Sequence, residues 1–163
     1  MKYADGPRAE VEIVVDAPID RVWNLVTDIN LPAQFSAEFI GAEWVDERRE
    51  AGASLVGRNH HPAMGEWQTT SWVNRYERQR AFGWAVSDLE NPSATWWFEL
   101  DDRGGSVGLR YGFRMGPAPS GLNIAIQAMP EKEDRIIARR LEEHERNMRA
   151  TLEGIKQLAE SDR

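Results

Sequence analysis

Two hydrophobic periods run along this chain, and the change from one to the other divides it. From residue 9 to residue 115 apolar side chains recur mainly at every second position. Val11, Ile13 and Val15 share one side of a run whose other side carries Glu10 and Glu12, which predicts a strand over 9–15. The run 38–46 sets Ile40, Ala42 and Trp44 on one face, and 54–61 sets Leu55, Gly57, Asn59 and His61 on one face. Along 66–76, Trp67, Thr69, Ser71 and Val73 oppose Gln68, Thr70, Trp72 and Asn74. Phe82, Trp84 and Val86, then Trp96, Phe98 and Leu100, continue the alternation. Residues 101–105 read as a hairpin, after which Val107, Leu109, Tyr111, Phe113 and Met115 give the clearest period of two.

The helical period appears twice. After Asp16-Ala-Pro18, the spacing of Val22, Leu25, Val26 and Ile29 predicts a helix through Asp28, ended by Pro32, with a second short turn over 31–36. Beyond the Pro/Gly-rich connector 116–121, residues 122–129 form one or two turns. A single long helix is then predicted from Pro130 to about Glu160. Its stripe is Ile137, Leu141, His144, Met148, Thr151, Ile155 and Leu158, widened by Leu152 and Ala159. At 1.5 Å per residue it is roughly 45 Å long, enough to cross a small domain. The same spacing is a 4-3 heptad, so a coiled-coil dimer reads alike. Two features favour packing on a sheet: His144 and Thr151 in the seam, and upstream strands that otherwise lack a cover.

The expected architecture is α+β, one domain over 1–163. A curved antiparallel sheet of about seven strands wraps the long C-terminal helix, with two short helices after strand 1. Such a wrap encloses space between sheet and helix, which fills with side chains or stays open for a ligand.

Composition narrows the function. The chain has 163 residues and a net charge of −7, which argues against nucleic acid or an anionic membrane as the main partner. No run approaches the length of a membrane span and no leader-like segment opens the chain, so a cytoplasmic location without integral membrane contact is expected. With no cysteine, disulfide and thiolate chemistry are excluded. Seven tryptophans are a large aromatic load that needs a place in the structure.

Motifs for hydrolytic, phosphate-binding, dinucleotide or zincin chemistry are missing. His60 and His61 are neighbours on a strand and point to opposite faces, so they read as a polar strand end, and neither a metal nor a cofactor is expected. Glu66, Asp88 and Glu90 read as solvated carboxylates, useful as bases only if a loop folds them over a pocket mouth. Asn59 on the concave face and His144 on the helix are polar groups at apolar positions. Each is either satisfied structurally or turned to a ligand. Trp44, Trp67, Trp84, Trp96, Phe98, Tyr111 and Phe113 either fill the core or line a cavity for a flat apolar ligand. The candidate ligand-binding set is Asn59, Trp67, Ser71, Trp84, Trp96, Phe98, Tyr111, Phe113, His144 and Met148. Trp72 and Trp97 fall on the convex face, where a homodimer contact is expected if they are exposed.

The opening Val-Asp-Ala-Pro-Ile-Asp-Arg-Val-Trp (15–23) is followed by Asp28 with Pro32, Phe35 and Ser36. Further on come Gly52, Leu55, Gly57 and Asn59, then Trp67, Phe82-Gly-Trp84 and the ending 148–160. With these the chain resembles the START-like (SRPBCC) superfamily of helix-grip proteins, and within it the bacterial polyketide cyclase/dehydrase and lipid transport group. The resemblance spans nearly the whole chain. It implies the helix-grip fold and an internal cavity; it supplies no shared catalytic residue, because fold does not fix activity. Three functions follow as expectations. The first is binding, transport or sequestration of a hydrophobic, aromatic or lipid-like small molecule without chemistry. The second is a polyketide cyclase/dehydrase-type enzyme acting on a poly-keto chain. The third is a co-chaperone-like interaction module. Converging polar groups in the cavity favour the second; a collapsed cavity with exposed aromatics favours the third.

Overall fold

A computed structural model describes residues 1–161. Seven strands run antiparallel in one sheet: β1 (Arg8–Val15), β2 (Phe39–Trp44), β3 (Ser54–His61), β4 (Gly65–Glu77), β5 (Ala81–Val86), β6 (Ala94–Asp102) and β7 (Val107–Met115). Their spatial order is β1-β7-β6-β5-β4-β3-β2. Only the first strand leaves the meander, and it leaves because α1 (Ile19–Val26) and a 3-10 turn (Leu31–Gln34) intervene before β2. After β7 come α2 (Leu122–Ala128), a 3-10 turn (Pro130–Lys132) and the long α3 (Glu133–Ser161). The expected helix is therefore continuous in path, but its first three residues are wound more tightly. This is helix-grip architecture, and α3 lies across the concave face rather than projecting towards a second chain.

The concave face carries the apolar set read from the alternation. Val11, Val73, Phe82, Phe98, Leu109, Tyr111, Phe113 and Met115 are buried against Ile137, Met148, Leu152 and Ile155 of α3. Two details of the pattern are corrected. The first lies in β2, where Gly41 at φ +150° forms a bulge that shifts the pairing with β3 between Phe39 and Gly41. Phe39 thereby pairs with Asn59, while Ile40 turns out to 48% exposure and Ala42 stays buried. The second lies on α3, where Leu158 is exposed and Leu152 and Ala159 are buried in its stead. A straight helix drifts about 20° per heptad, so a strict 4-3 stripe walks off its sheet after three repeats.

On the convex face, Trp72 and Trp97 are half-buried rather than open. Trp97 lies on the bare backbone of Gly112, where a Cβ would meet its indole at 2.1 Å, and the Arg8 guanidinium caps it 5.1 Å from the ring centre.

Candidate functional site

A seven-stranded sheet is about 30 Å wide at 4.8 Å per strand, whereas a helix with its side chains covers about 10 Å. One helix cannot cover the concave face. α3 settles against β1 and β7, with α1 at its far end. The remainder of the face stays uncovered by α3, and there a cavity of about 130 Å³ opens. Leu55, Gly57 and Asn59 of β3, Thr69 and Ser71 of β4, and Phe82, Trp84 and Val86 of β5 line one wall. Trp96, Phe98 and Tyr111 continue it, and His144, Asn147, Met148 and Thr151 of α3 face it.

Cross-strand pairing builds the aromatic wall. Trp84 pairs with Trp96, and their rings stack at 6.5 Å with 13° between planes. Phe98 pairs with Tyr111, with centroids 4.1 Å apart. His144 stands perpendicular to Trp96 at 5.1 Å and leans on Phe113 at 4.4 Å. Neighbours of this kind offer faces and edges but no strong acceptors.

Several polar groups here therefore lack a protein partner. Among the described residues, no hydrogen bond engages the His144 ring nitrogens, the Tyr111 hydroxyl, the Ser71 hydroxyl or the Asn59 amide, and none of these atoms is sealed from the cavity. Thr151 differs, since its hydroxyl donates back to the Asn147 carbonyl at 3.0 Å. Burial holds His144 neutral, taking its pKa down to about 3, with the positive charges of Arg140 and His61 adding to the effect. Burial likewise raises the Tyr111 hydroxyl, which stays protonated. Neutral imidazole and phenol are each both donor and acceptor.

The segment from Phe35 to Glu38 closes the cavity beside the helix. It is tied to α3 at three points seven residues apart. Phe35 packs on Gly154, where a Cβ would meet its ring at 2.4 Å. The Ala37 N–H donates to Asn147 Oδ1 at 3.1 Å. Glu38 accepts two hydrogen bonds from Arg140, both 2.7 Å. Ser36 Oγ rigidifies the strap from within by accepting the N–H groups of Glu38 and Phe39. Arg140 also approaches Glu143 at 3.5 Å, and Glu143 meets His61 Nε2 at 2.6 Å, so a four-residue polar chain links strap, helix and β3.

Of the ten residues read as binding candidates, eight line the cavity: Asn59, Ser71, Trp84, Trp96, Phe98, Tyr111, His144 and Met148. Phe113 does not line it, because Trp96 and His144 stand against its ring, and it is core. Trp67 pairs with Asn59 near the start of β4, half-buried and beyond the lining. Trp44 packs against Phe82 with Arg49 over its outer face, again outside the cavity. His61 meets Glu143, not a metal cluster; among the described residues no group of three or more His, Asp or Glu is arranged to hold one. The strap escapes a reading of the sequence alone. Its signal is the seven-residue spacing of Arg140, Asn147 and Gly154, one helical strip beside the stripe already recognised.

The fold is that of a helix-grip protein with a cavity between sheet and helix. The family described as polyketide cyclase/dehydrase and lipid transport matches residues 7–160, and the chain belongs to it. The structure is similar to the Polyketide_cyc-like protein Cgl2372 from Corynebacterium glutamicum, with a TM-score of 0.70 at 26% identity over 96% of this chain and 93% of that one. It is similar in fold to the ZhuI aromatase/cyclase from Streptomyces sp. R1128, with a TM-score of 0.64 at 19% identity over 95% and 94% of the two chains. TTHA0849 from Thermus thermophilus shares the fold at 12% identity, with a TM-score of 0.65 over 93% and 95%. Among curated proteins none matches.

Proposed function

We propose that this protein binds a hydrophobic, flat small molecule in the cavity between its sheet and α3. The observation that carries the proposal is the coexistence of an aromatic wall with four polar side chains, His144, Tyr111, Ser71 and the half-buried Asn59, that open to the cavity and have no hydrogen-bond partner among the described residues. A core evolved only for packing pairs such groups or replaces them with carbon. The amount of apolar lining supplies affinity, and the few polar groups orient what is bound. Among the described residues no helix is long and apolar enough to cross a membrane, and the reading includes a cytoplasmic setting. A convex-face homodimer is no part of it, because the two tryptophans there are half-buried on their own strands. Nor is a co-chaperone role, since the cavity is open rather than collapsed. Titration with flavonoids and naphthoquinones should change tryptophan fluorescence saturably, because Trp84 and Trp96 face the cavity. No saturable change across such a panel would contradict binding.

A second reading is cyclase/dehydrase-type catalysis. It is favoured by the neutral His144 and the protonated Tyr111 on facing walls, which suit proton transfer at a carbonyl held between them. The likeness to an aromatase/cyclase adds support at the level of fold. Dehydration or aldol cyclisation of a model β-keto chain by wild type, lost in both His144→Leu and Tyr111→Phe, separates this reading from binding alone.

A further inference from the structure

Charge distribution about the cavity restricts what it will accept. The lining includes no lysine and no arginine. Its two acidic members are Glu38 and Asp28. Glu38 has both oxygens on Arg140, and Asp28, exposed, accepts the Asn30 N–H at 3.0 Å. Arg140 itself stands behind Glu38 with Glu143 as its further neighbour, so among the described residues no cation lines the cavity to meet an incoming anion.

We propose that the cavity selects uncharged planar ligands bearing a hydroxyl or carbonyl group, held by His144 and Tyr111, and turns away ionised carboxylic acids of the same size. This rests on the binding reading above and adds the ligand's charge and functional group to it. A carboxylate entering the cavity would lose its water without gaining a counter-ion, which strongly disfavours it. It could recover by binding as the neutral acid, which is scarce well above the carboxyl pKa, or by bringing a proton to His144. The Arg140 charge on its own helix opposes the latter, and Glu143 is committed to Arg140 and to His61 from β3. Glu38 is committed to Arg140, and Tyr111, Trp96 and Phe113 bring no charge. A phenol or ketone asks for none of this. It needs one donor or one acceptor, and imidazole and phenol each offer both.

Three probes of one ring size test the inference: 2-naphthol, 2-acetonaphthone and 2-naphthoate, titrated by calorimetry into the full chain at pH 7.5. The two neutral probes are expected to saturate one site, with 2-naphthoate bound at least about tenfold more weakly. Tyr111→Phe should weaken 2-naphthol at least about fivefold while leaving naphthalene unchanged. Asn59→Arg, which places a cation on the lining, should bring 2-naphthoate up to the level of 2-naphthol. Equal binding of 2-naphthoate and 2-naphthol to wild type would overturn the selectivity. Unchanged 2-naphthol affinity in Tyr111→Phe would overturn the assignment of the hydroxyl. Failure of all four naphthalenes to bind would instead remove the binding reading, and this inference with it.

Discussion

Arg140 grips both carboxylate oxygens of Glu38 at 2.7 Å, and the two side chains are only 11% and 12% exposed. The pair joins the first third of the long helix to the strap that shuts one side of the cavity. Its geometry is bidentate, which lysine cannot reproduce. Removing Arg140 leaves the nearly buried Glu38 carboxylate alone, and removing Glu38 leaves Arg140 with only the longer contact to Glu143. We expect Glu38→Leu or Arg140→Leu each to destabilise by about 3 kcal/mol, and the double variant to lose less than either single change. Urea unfolding of the three variants measures the coupling, and additive losses would contradict it.

His144 makes stability depend on acid. The folded chain keeps its pKa near 3, against about 6.5 when unfolded, so between those values only the unfolded state takes up the proton. The stability is complete above the ordinary histidine range and falls as pH drops below it, by about 1.4 kcal/mol per unit. Glu143 adds to the loss at lower pH. Burial alone would raise its carboxyl, but the hydrogen bond from His61 and the Arg140 charge bring it below the usual glutamate value. From pH 7.5 to 5, wild type should lose about 2 kcal/mol, and His144→Leu should lose little of it. Equal slopes for the two proteins would place the acid sensitivity elsewhere.

Gly154 sits in a helix interior, where alanine normally gains about 1 kcal/mol. Here a methyl group would press on the Phe35 ring at 2.4 Å. Gly154→Ala is therefore expected to destabilise by about 1–2 kcal/mol, with much of the loss recovered when Phe35→Ala is added. Thermal unfolding decides it, and a rise in Tm for the single variant would show that the strap gives way freely.

Tyr111→Phe removes a hydroxyl that has no hydrogen-bond partner among the described residues. Stability should stay within about 0.5 kcal/mol of wild type or rise, in contrast to the loss seen where a partnered hydroxyl is deleted. A drop of more than about 1 kcal/mol in denaturant unfolding would reveal a structural role.

Strand alternation makes the concave face legible residue by residue, because the side-chain period of a strand leaves no freedom once one face is buried. The same logic fails where a bulge changes the count: at Gly41, which sends Ile40 outward, and between Val73 and Arg75, which brings Tyr76 inward against Trp23 and Phe82. Asn59, Ser71 and His144 stand out as polar residues at apolar positions. Glu38 and Arg140 do not, since each is an ordinary charged residue in its own neighbourhood and only their meeting, 102 positions apart in the chain, makes them a pair. Phe113 falls outside the cavity for a related reason: alternation tells which face a ring occupies, but not that Trp96 and His144 stand in front of it.

Ligand entry between sheet and helix is reported directly by the tryptophan indole N–H signals. In a two-dimensional proton–nitrogen NMR titration with 2-acetonaphthone and a flavonoid, the signals of Trp84 and Trp96 should move saturably. Those of Trp72 and Trp97 on the convex face should stay in place. Saturable movement of the convex pair, or none at Trp84 and Trp96 with either ligand, would contradict the account.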